Sequence, residues 1–311
     1  MSKPFLKWVG GKSQLIPQLE ALLPTDFSQW RNVTYIEPFI GGGAMLFHML
    51  QAHPNITRAV INDINADLTT CYLTVRDHPH ELIATLRDIQ AQYYALTDEP
   101  SRQAYFMDRR AHFNTKALDP ILNTALFIFL NRTCFNGLYR VNRKGLFNVP
   151  FGKYTNPMIC DEANILDDSR LLQSVDILTG DYRQTLNYAV APTLFYFDPP
   201  YRPLSETSSF NDYTKEAFDD NAQIHLKEFC DQVNAAGHSF MLSNSDPKGK
   251  NGDTFFDDLY AEYQIERVWA SRNVNANAAK RGKLTEILVS NFPHHLHNAN
   301  VADDTDLFAN I

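Results

Sequence analysis

The sequence predicts an α/β fold: a mostly parallel sheet covered by helices, with a long helical segment inserted in the middle of the chain. Short apolar runs of strand length alternate with amphipathic helices at both ends of the chain, as in strand–helix–strand units. Helical periodicity continues from residue 67 to residue 130, which is long for one crossover connection and indicates an insert. With 311 residues and 44% hydrophobic content, the chain can bury the core of one large or two moderate domains.

Each element follows from the spacing of apolar residues. Strands are predicted at residues 33–37, 59–62, 175–178, 193–197, 239–243, 265–270 and 284–290. Helices are predicted at residues 44–50, 68–76, 80–96, 102–115, 120–130, 217–236 and 255–263. Ser13 is predicted to cap a first helix that carries Leu15 to Leu23. Alternation around Lys144-Gly145 predicts a β-hairpin over residues 135–150.

No segment indicates membrane insertion, secretion or metal binding. No apolar run approaches the length of a membrane span, and residues 1–5 lack the apolar region of a signal peptide, so we expect a cytoplasmic protein with no membrane partner. The four cysteines show no Cys-x-x-Cys spacing and are expected to be reduced structural thiols. His294, His295 and His297 have no partner at ligand spacing, so residues 293–311 are expected to be a polar tail, and no metal is expected.

The chain is acidic overall but carries two basic segments. A net charge of -8 and a pI near 5.7 argue, on average, against a nucleic-acid partner. Residues 120–160 and 267–285 nevertheless contain no acidic residue, and each segment has a local charge of +5. The basic residues are Arg132, Arg140, Arg143, Lys144 and Lys153, then Arg267, Arg272, Lys280, Arg281 and Lys283. Such clusters predict a localised anion-binding face, the alternative being two solvated loops.

Glycine turns and one acidic strand end predict a nucleoside site. Gly41 to Gly43 lie between a predicted strand and a helix, where they let a ligand approach the backbone closely. Asp63 ends the next strand about 20 residues later, where ribose hydroxyls are bound in nucleoside folds. Near the N-terminus, Gly10-Gly11-Lys12 adds backbone amides and a positive charge, but Leu6 replaces the first glycine of a phosphate-binding loop.

The predicted hairpin carries side chains suited to reading bases. Arg140 and Asn142 are two residues apart and are expected to project from one face, with Phe135 or Leu138 at its base. Arg and Asn make bidentate hydrogen bonds to guanine and adenine edges, and a two-stranded ribbon fits a major groove. The hairpin therefore predicts a DNA partner.

One predicted strand ends abruptly at Phe197 and is followed by Asp198, Pro199, Pro200 and Tyr201. Proline cannot donate to a sheet ladder and fixes its own φ, so the strand must end there with a stiff exit. Asp198 is thereby presented at a carboxyl edge, where open α/β sheets bind ligands. The alternative is that these four residues form only a turn.

The chain resembles the Dam-type DNA adenine-N6 methyltransferases of the alpha group over roughly residues 3–292. Six segments carry the resemblance, in this order: Lys7-Trp8-x-Gly-Gly-Lys12, Glu37-Pro38-Phe39-x-Gly-Gly-Gly43, Asn62-Asp63-x-Asn65, Asn136-Gly137-Leu138-Tyr139-Arg140, Phe147-Asn148-Val149-Pro150-Phe151-Gly152 and Asp198-Pro199-Pro200-Tyr201. The resemblance implies a Rossmann-like seven-stranded sheet. A catalytic domain of residues 1–66 and 172–292 would bind S-adenosylmethionine, and an inserted target-recognition domain of residues 67–171 would carry the hairpin.

The implied activity is transfer of a methyl group from S-adenosylmethionine to a flipped adenine in double-stranded DNA. The target is expected to be GATC, the product cofactor S-adenosylhomocysteine, and the protein a monomer. Flipping is required because the reacting amine is inaccessible inside a duplex.

The resemblance also implies roles for individual residues. The cofactor would be bound by Trp8, Lys12, Phe39, Gly41, Gly43, Asp63, Asp181, Tyr182 and Asp198. DNA would be bound by Lys7, Phe135, Asn136, Leu138, Arg140, Asn142, Pro150 and Tyr154, with further DNA-facing parts at residues 205–210 and in the basic loop before Leu284. The catalytic residues would be Asp198, Pro199, Pro200 and Tyr201. Asp198 and the Pro199 carbonyl would accept the two amine hydrogens, and Tyr201 would stack on the base.

Three other functions are compatible with parts of the sequence. Asp-Pro-Pro-Tyr also occurs in RNA and protein-amide methyltransferases, although a basic hairpin after a helical insert favours DNA. A DNA-binding relative without catalysis is the second, against which the intact Asp198 to Tyr201 segment argues. An NAD-dependent oxidoreductase would need its third fingerprint glycine where Leu46 stands.

Overall fold

A seven-stranded sheet forms the centre of the molecule in the computed structural model, which describes residues 2–8, 10–202, 218–248, 252–271 and 283–293. Its order is β3-β2-β1-β4-β5-β7-β6. The strands are β1 Val33–Glu37, β2 Ile56–Asp63, β3 Val175–Thr179, β4 Thr193–Phe197, β5 Ser239–Ser245, β6 Gln264–Ser271 and β7 Lys283–Ser290. Strands β1 to β5 are parallel, whereas β7 runs antiparallel between β5 and β6. The predicted α/β fold and all seven predicted strands are confirmed.

Helices cover both faces of the sheet. They are α1 Ile16–Ala21, α2 Ala44–Ala52, α3 Ala66–Asp77, α4 Pro79–Tyr94, α5 Glu99–Phe113, α6 Pro120–Thr133, α7 Glu162–Leu172, α8 Asp220–Ala235 and α9 Phe255–Leu259. Asn65 and Asp119 cap α3 and α6 by accepting backbone N–H bonds from their first turns. The predicted Ser13 cap is wrong, because a short 3-10 helix, Lys12–Gln14, precedes α1, whose N-cap position is Leu15. Among the described helices, none is long and apolar enough to cross a bilayer.

Apolar side chains of the central strands alternate between two clusters. In β4, Leu194 and Tyr196 belong to one cluster, and Phe195 and Phe197 to the other. This period of two is expected for a strand buried on both faces. The first cluster continues into the helices that lie between β2 and β3 in the chain. The second cluster includes buried side chains of α8 and α9. The boundaries proposed for the inserted domain remain a prediction.

The segment 135–150, called the returning loop below, follows the path of a hairpin without regular strands. Its pairing consists of isolated antiparallel bridges, Val141 with Phe147 inside the loop and Cys134 with Phe151 at its base. The antiparallel pairing predicted around Lys144-Gly145 is confirmed by the bridge of Val141 with Phe147, but regular strands do not form on either side of it. The reason is local: residues 135–137 form a 3-10 turn in which Asn136 has a φ of 55°, which removes the start of the first strand.

Candidate active site

Asp198 lies at the carboxyl edge of the sheet because Pro199 and Pro200 end β4 immediately after it. Parallel pairing of Phe197 with Leu242 in β5 brings the next residue of β5, Ser243, beside it. The Ser243 hydroxyl donates to Asp198 Oδ1 at 3.2 Å, and Lys12 Nζ lies 2.8 Å from the same oxygen. The N-terminal Gly-Gly-Lys segment and the strand end thus meet in one cluster.

The charge of Asp198 depends on its partners. Burial raises the pKa of Asp198 above its ordinary value, and the ammonium of Lys12 and the hydroxyl of Ser243 oppose that rise. The Lys12 side chain is only 5% exposed and that of Asp198 is 23% exposed, so water reaches the ion pair mainly from the Asp198 side. Lys12 therefore favours the carboxylate form of Asp198 in a place whose burial favours the neutral acid.

Tyr201 is oriented by contacts with its ring and its hydroxyl. Lys12 Nζ lies 4.4 Å from the centre of the ring, and the Tyr201 hydroxyl donates to Glu286 Oε2 at 2.7 Å. Lys12 also donates to the Gly10 carbonyl at 2.8 Å. One lysine therefore connects the N-terminal glycine segment to both ends of the Asp198–Tyr201 segment.

The exit from β4 is fixed by buried amides. Gln223 on α8 is fully buried, donates to the Pro200 carbonyl at 3.1 Å and accepts from Asn244 at 3.0 Å. Asn244 Oδ1 also accepts from the backbone N–H of Arg202 at 3.4 Å. Pro199 is buried and Pro200 is exposed. The segment predicted from sequence to be catalytic is thus a turn in which a buried amide holds the Pro200 carbonyl.

The glycine turn after β1 and the end of β2 are joined by hydrogen bonds. Asp63 accepts from the backbone N–H of Gly41 at 3.2 Å and of Asn65 at 2.9 Å. Burial raises the pKa of Asp63, and these N–H bonds oppose the rise. Gly43 has a φ of +72°, and a Cβ there would lie 2.5 Å from the Tyr72 hydroxyl, so only glycine fits.

Aromatic side chains border this turn. Trp8 lies against it, since a Cβ on Gly41 would be 3.0 Å from the indole, and it stacks on Tyr139 with ring centres 5.6 Å apart. Phe39 and Tyr182 pack with ring centres 4.9 Å apart. A carboxylate next to a half-buried glycine turn that is bordered by aromatic rings is compatible with a nucleoside, whose hydroxyls can donate to the carboxylate and whose base can pack on the rings.

The Asp181 side chain bonds a neighbour in sequence, Arg183. It is exposed, accepts from the Arg183 backbone at 2.9 Å and forms an ion pair with the Arg183 guanidinium. Hydrogen bonding from Arg183 holds the pKa of Asp181 below its ordinary value. The Asp181 carboxylate is therefore bonded to Arg183.

Three predicted DNA-binding residues meet beside the returning loop. Lys7 Nζ lies 5.0 Å from the centre of the Tyr154 ring, and the Tyr154 hydroxyl accepts from the backbone N–H of Asn136 at 3.1 Å. Asn131 bonds both backbone groups of Lys7 and the Gly137 carbonyl, which fixes the N-terminal segment to the loop. A cavity of about 250 Å³ opens here, lined by Lys7, Arg132 and residues 154–158.

The remaining predicted DNA contacts are spread along the returning loop. Phe135 and Pro150 are exposed, and Leu138 is half-buried. Arg140 is exposed but donates to Asn148 Oδ1 at 2.8 Å. Asn142 Oδ1 accepts from the backbone N–H of Lys144 at 2.9 Å and of Leu146 at 3.2 Å, so this side chain stabilises the turn.

The second basic segment is only partly described. Arg267 forms ion pairs with Asp246 and Asp257, so its charge is neutralised within the fold. Residues 205–210, Arg272, Lys280 and Arg281 lie outside the described residues, as do His294, His295 and His297.

Several residues of the site were not predicted as site residues. Ser243 was placed at a strand end, and a polar side chain at the carboxyl end of the strand beside β4 was the only available sign of its role. Glu286 and Gln223 lie on β7 and α8, and their contacts with Tyr201 and Pro200 depend on the tertiary arrangement. Burial raises the pKa of Glu37 at the end of β1 to about 8, with Asp198 adding to the rise and the Tyr35 hydroxyl opposing it.

The sheet order with an antiparallel β7, and the carboxylate after β4, define a methyltransferase of the Rossmann-like class. The chain belongs to the D12 class N6 adenine-specific DNA methyltransferases, whose family profile matches residues 8–274. It is a DNA adenine-N6 methyltransferase, as the sequence resemblance implied. The alternative of an NAD-dependent oxidoreductase is therefore excluded.

Three relatives illustrate the similarity. The chain is 44% identical to the Type II methyltransferase M.MjaIII of Methanocaldococcus jannaschii over 93% of this chain and 99% of that protein. It is 37% identical to the Type II methyltransferase M1.LlaDCHI of Lactococcus lactis subsp. cremoris, with 93% and 95% of the two chains covered. Identity to the DNA adenine methylase of Escherichia coli K12 is 29%, with 92% and 94% covered.

Proposed function

We propose that this enzyme transfers a methyl group from S-adenosylmethionine to the N6 amine of a flipped adenine within GATC, acting as a monomer on double-stranded DNA. The observation that carries the proposal is the cluster of Asp198, Lys12 and Ser243 at the end of β4. GATC rests on the likeness of the returning loop and of residues 205–210 to the corresponding segments of GATC-specific members.

The cofactor would be held around the glycine turn. Asp63 would accept the ribose hydroxyls, and Phe39 and Tyr182 would pack on the adenine, with Asp181 beside it. Trp8, Lys12 and Gly41 to Gly43 would complete the pocket. Bound S-adenosylmethionine supplies an electrophilic methyl group.

Asp198 and the Pro199 carbonyl would hold the target amine. The lone pair of the adenine amine is delocalised into the ring, so the amine is a weak nucleophile that gains from positioning. Among the described residues, the bonds to Asp198 are made by Oδ1, which leaves Oδ2 to accept one amine hydrogen. The Pro199 carbonyl would accept the other, and both acceptors favour the tetrahedral nitrogen as charge develops.

Tyr201 would stack on the extruded base and compensate for the unstacking of the duplex, which costs a few kcal/mol. Gln223 supports this arrangement as a positioning residue, because its bond to the Pro200 carbonyl fixes the turn between Asp198 and Tyr201. Lys7, Asn136 and Tyr154 would contact the DNA backbone or bases, with Arg140 making the chief base contact after leaving Asn148.

A protection assay tests the target and the activity separately. Plasmid DNA is incubated with the enzyme and labelled S-adenosylmethionine, and half is digested with an endonuclease that cleaves only unmethylated GATC. We expect label in the DNA together with complete protection. Label without protection would contradict GATC alone, whereas the absence of label would contradict the use of this methyl donor.

A further inference from the structure

Two histidines and a glutamate converge at a place remote from Asp198. His48 Nε2 on α2 lies 2.8 Å from Glu20 Oε2, and His53 Nε2 lies 2.9 Å from Glu20 Oε1. One ligand atom from each residue lies within 4.8 Å of the others. Sequence spacing gave no indication of this cluster, because Glu20 comes from α1, His48 from the middle of α2 and His53 from the residue after α2.

The fold brings the two imidazoles together although they are five residues apart. On a continuous helix such residues point in different directions. Here α2 ends at Ala52, and His53 leaves the helix with φ -121° and ψ 86°. Its ring packs edge-to-face on Phe27, with centres 5.1 Å apart. The convergence is therefore held by the backbone and by apolar packing, and does not depend on the Glu20 bonds alone.

The ligand set selects the kind of ion. Two imidazoles and one carboxylate are a common three-residue set for zinc, with water in the fourth position. Calcium and magnesium prefer sites made of oxygen alone. The Glu20, His48 and His53 side chains are 36%, 28% and 13% exposed, so an ion could enter and solvent could complete a tetrahedron. Bond lengths near 2.1 Å place the ligand atoms of a tetrahedron about 3.4 Å apart, so each imidazole nitrogen, now 2.8 or 2.9 Å from a Glu20 oxygen, would move away from that oxygen by about half an ångström.

The position of the cluster indicates a structural role. Helix α2 begins beside the glycine turn at the carboxyl edge of the sheet and ends at Ala52, and His53 follows it close to the start of β2 at the opposite edge. Its nine residues span about 13 Å. An ion here would connect α1 to α2 and stabilise the fold.

We propose that Glu20, His48 and His53 form a structural binding site for a zinc-type divalent transition metal ion. Such an ion stabilises the folded state, and above the dissociation constant the gain grows with the logarithm of the free ion concentration, because the unfolded chain does not hold the three ligands together. The alternative is a cluster held only by hydrogen bonds between imidazoles and carboxylate.

Untagged full-length protein, stripped with chelator, is titrated with Zn²⁺ by calorimetry and with Co²⁺ by visible absorption. We expect one tight site, tetrahedral Co²⁺ bands and a rise in melting temperature on adding Zn²⁺. His48→Gln, His53→Gln and Glu20→Gln should each weaken that site at least tenfold and remove the thermal shift, while methyl transfer at moderate temperature persists.

Two controls separate this site from other histidines. His78→Gln removes a histidine whose imidazole lies 3.9 Å from the single carboxylate of Glu81, and it should leave binding unchanged. Joint replacement of His294, His295 and His297 by Gln should also leave it unchanged. The proposal fails if no stoichiometric site is found, if Zn²⁺ does not raise the melting temperature, or if binding follows the three C-terminal histidines. Circular dichroism confirms that each variant is folded.

Discussion

Lys12 and Asp198 show how one side chain determines the protonation state of another. Asp198 is buried enough for the pKa of its carboxyl to rise, and Lys12 provides the main opposing charge at 2.8 Å. The negative charge of Asp198 strengthens the hydrogen bond that it accepts from an incoming amine. A protonated Asp198 would lose that charge. The activity at neutral pH should therefore depend on the lysine.

Lys12→Met should lower methyl transfer at pH 7, and the loss should become smaller at higher pH, because without the ammonium a smaller fraction of Asp198 is ionised. The pKa of Asp198 rises when the ammonium is removed, so the acid limb of the pH–rate profile should move to higher pH. Steady-state rates measured across pH give the profile. Lys3→Met, which removes an exposed lysine paired with Asp161, is the control. An unchanged acid limb would exclude this role for Lys12.

The glycine turn before α2 is expected to contribute both to stability and to cofactor binding. Gly43→Ala should cost about 1–3 kcal/mol of stability from its left-handed φ and weaken cofactor binding, because the new Cβ would displace Tyr72. Gly237→Ala shares a positive φ of +78° but meets no atom within 4 Å. It should lose stability without losing cofactor affinity. Urea unfolding and S-adenosylhomocysteine binding distinguish the two, and equal affinities would contradict a role for the turn.

Two side chains of the returning loop are expected to affect DNA binding in different ways. Arg140→Ala should cost about 1–3 kcal/mol of DNA binding and relax specificity at one base pair. Asn142→Ala should instead loosen the turn and weaken all sequences similarly, because Asn142 bonds the backbone of Lys144 and Leu146. Binding to a panel of GATC duplexes with single substitutions measures both. An Arg140→Ala enzyme with unchanged site preference would remove Arg140 from base readout.

The strands were predictable and the loops were less so. β1 and β4 have the predicted bounds because each is a five-residue buried run that ends at a proline-containing segment. The 3-10 turn at residues 135–137 was missed because it depends on a left-handed Asn136. Helix α7 was missed because its apolar face is short. Ser243 and Glu286 reach Asp198 and Tyr201 through sheet order, which periodicity along one chain cannot reveal.

At the scale of the whole molecule, buried carboxyl groups make folding stability depend on pH. Burial raises the pKa of Asp168 on α7 to about 8, with nearby acidic groups adding to the rise and Ser2 opposing it. The native state therefore keeps this proton over a range in which the unfolded chain, with a pKa near 3.9, has lost it. The contribution of Asp168 to the free energy of unfolding is therefore greatest below about pH 4 and decreases as the pH rises to about 8.

Asp168→Asn should flatten this dependence, because the amide mimics the neutral acid. Asn164 Nδ2 donates to Asp168 Oδ2 at 2.7 Å, and the new amide oxygen can accept that bond. Between pH 5 and pH 8 the wild type should lose a few kcal/mol more than the variant. Urea unfolding at both values measures the difference. Glu37, with a pKa of about 8, leaves a residual slope in the variant. Parallel losses in the two proteins would contradict the assignment.

Asp198 is the residue on which we expect the methylation of adenine in DNA to depend. Tritium transfer from labelled S-adenosylmethionine to an unmethylated GATC duplex, followed by nucleoside analysis, tests it in wild type and in Asp198→Ala, with DNA retention measured on the same preparations. We expect labelled N6-methyladenine from the wild type, and none from the Asp198→Ala variant, which should still retain DNA. Near-normal turnover by Asp198→Ala, or label that enters RNA or protein instead of duplex DNA, would contradict it.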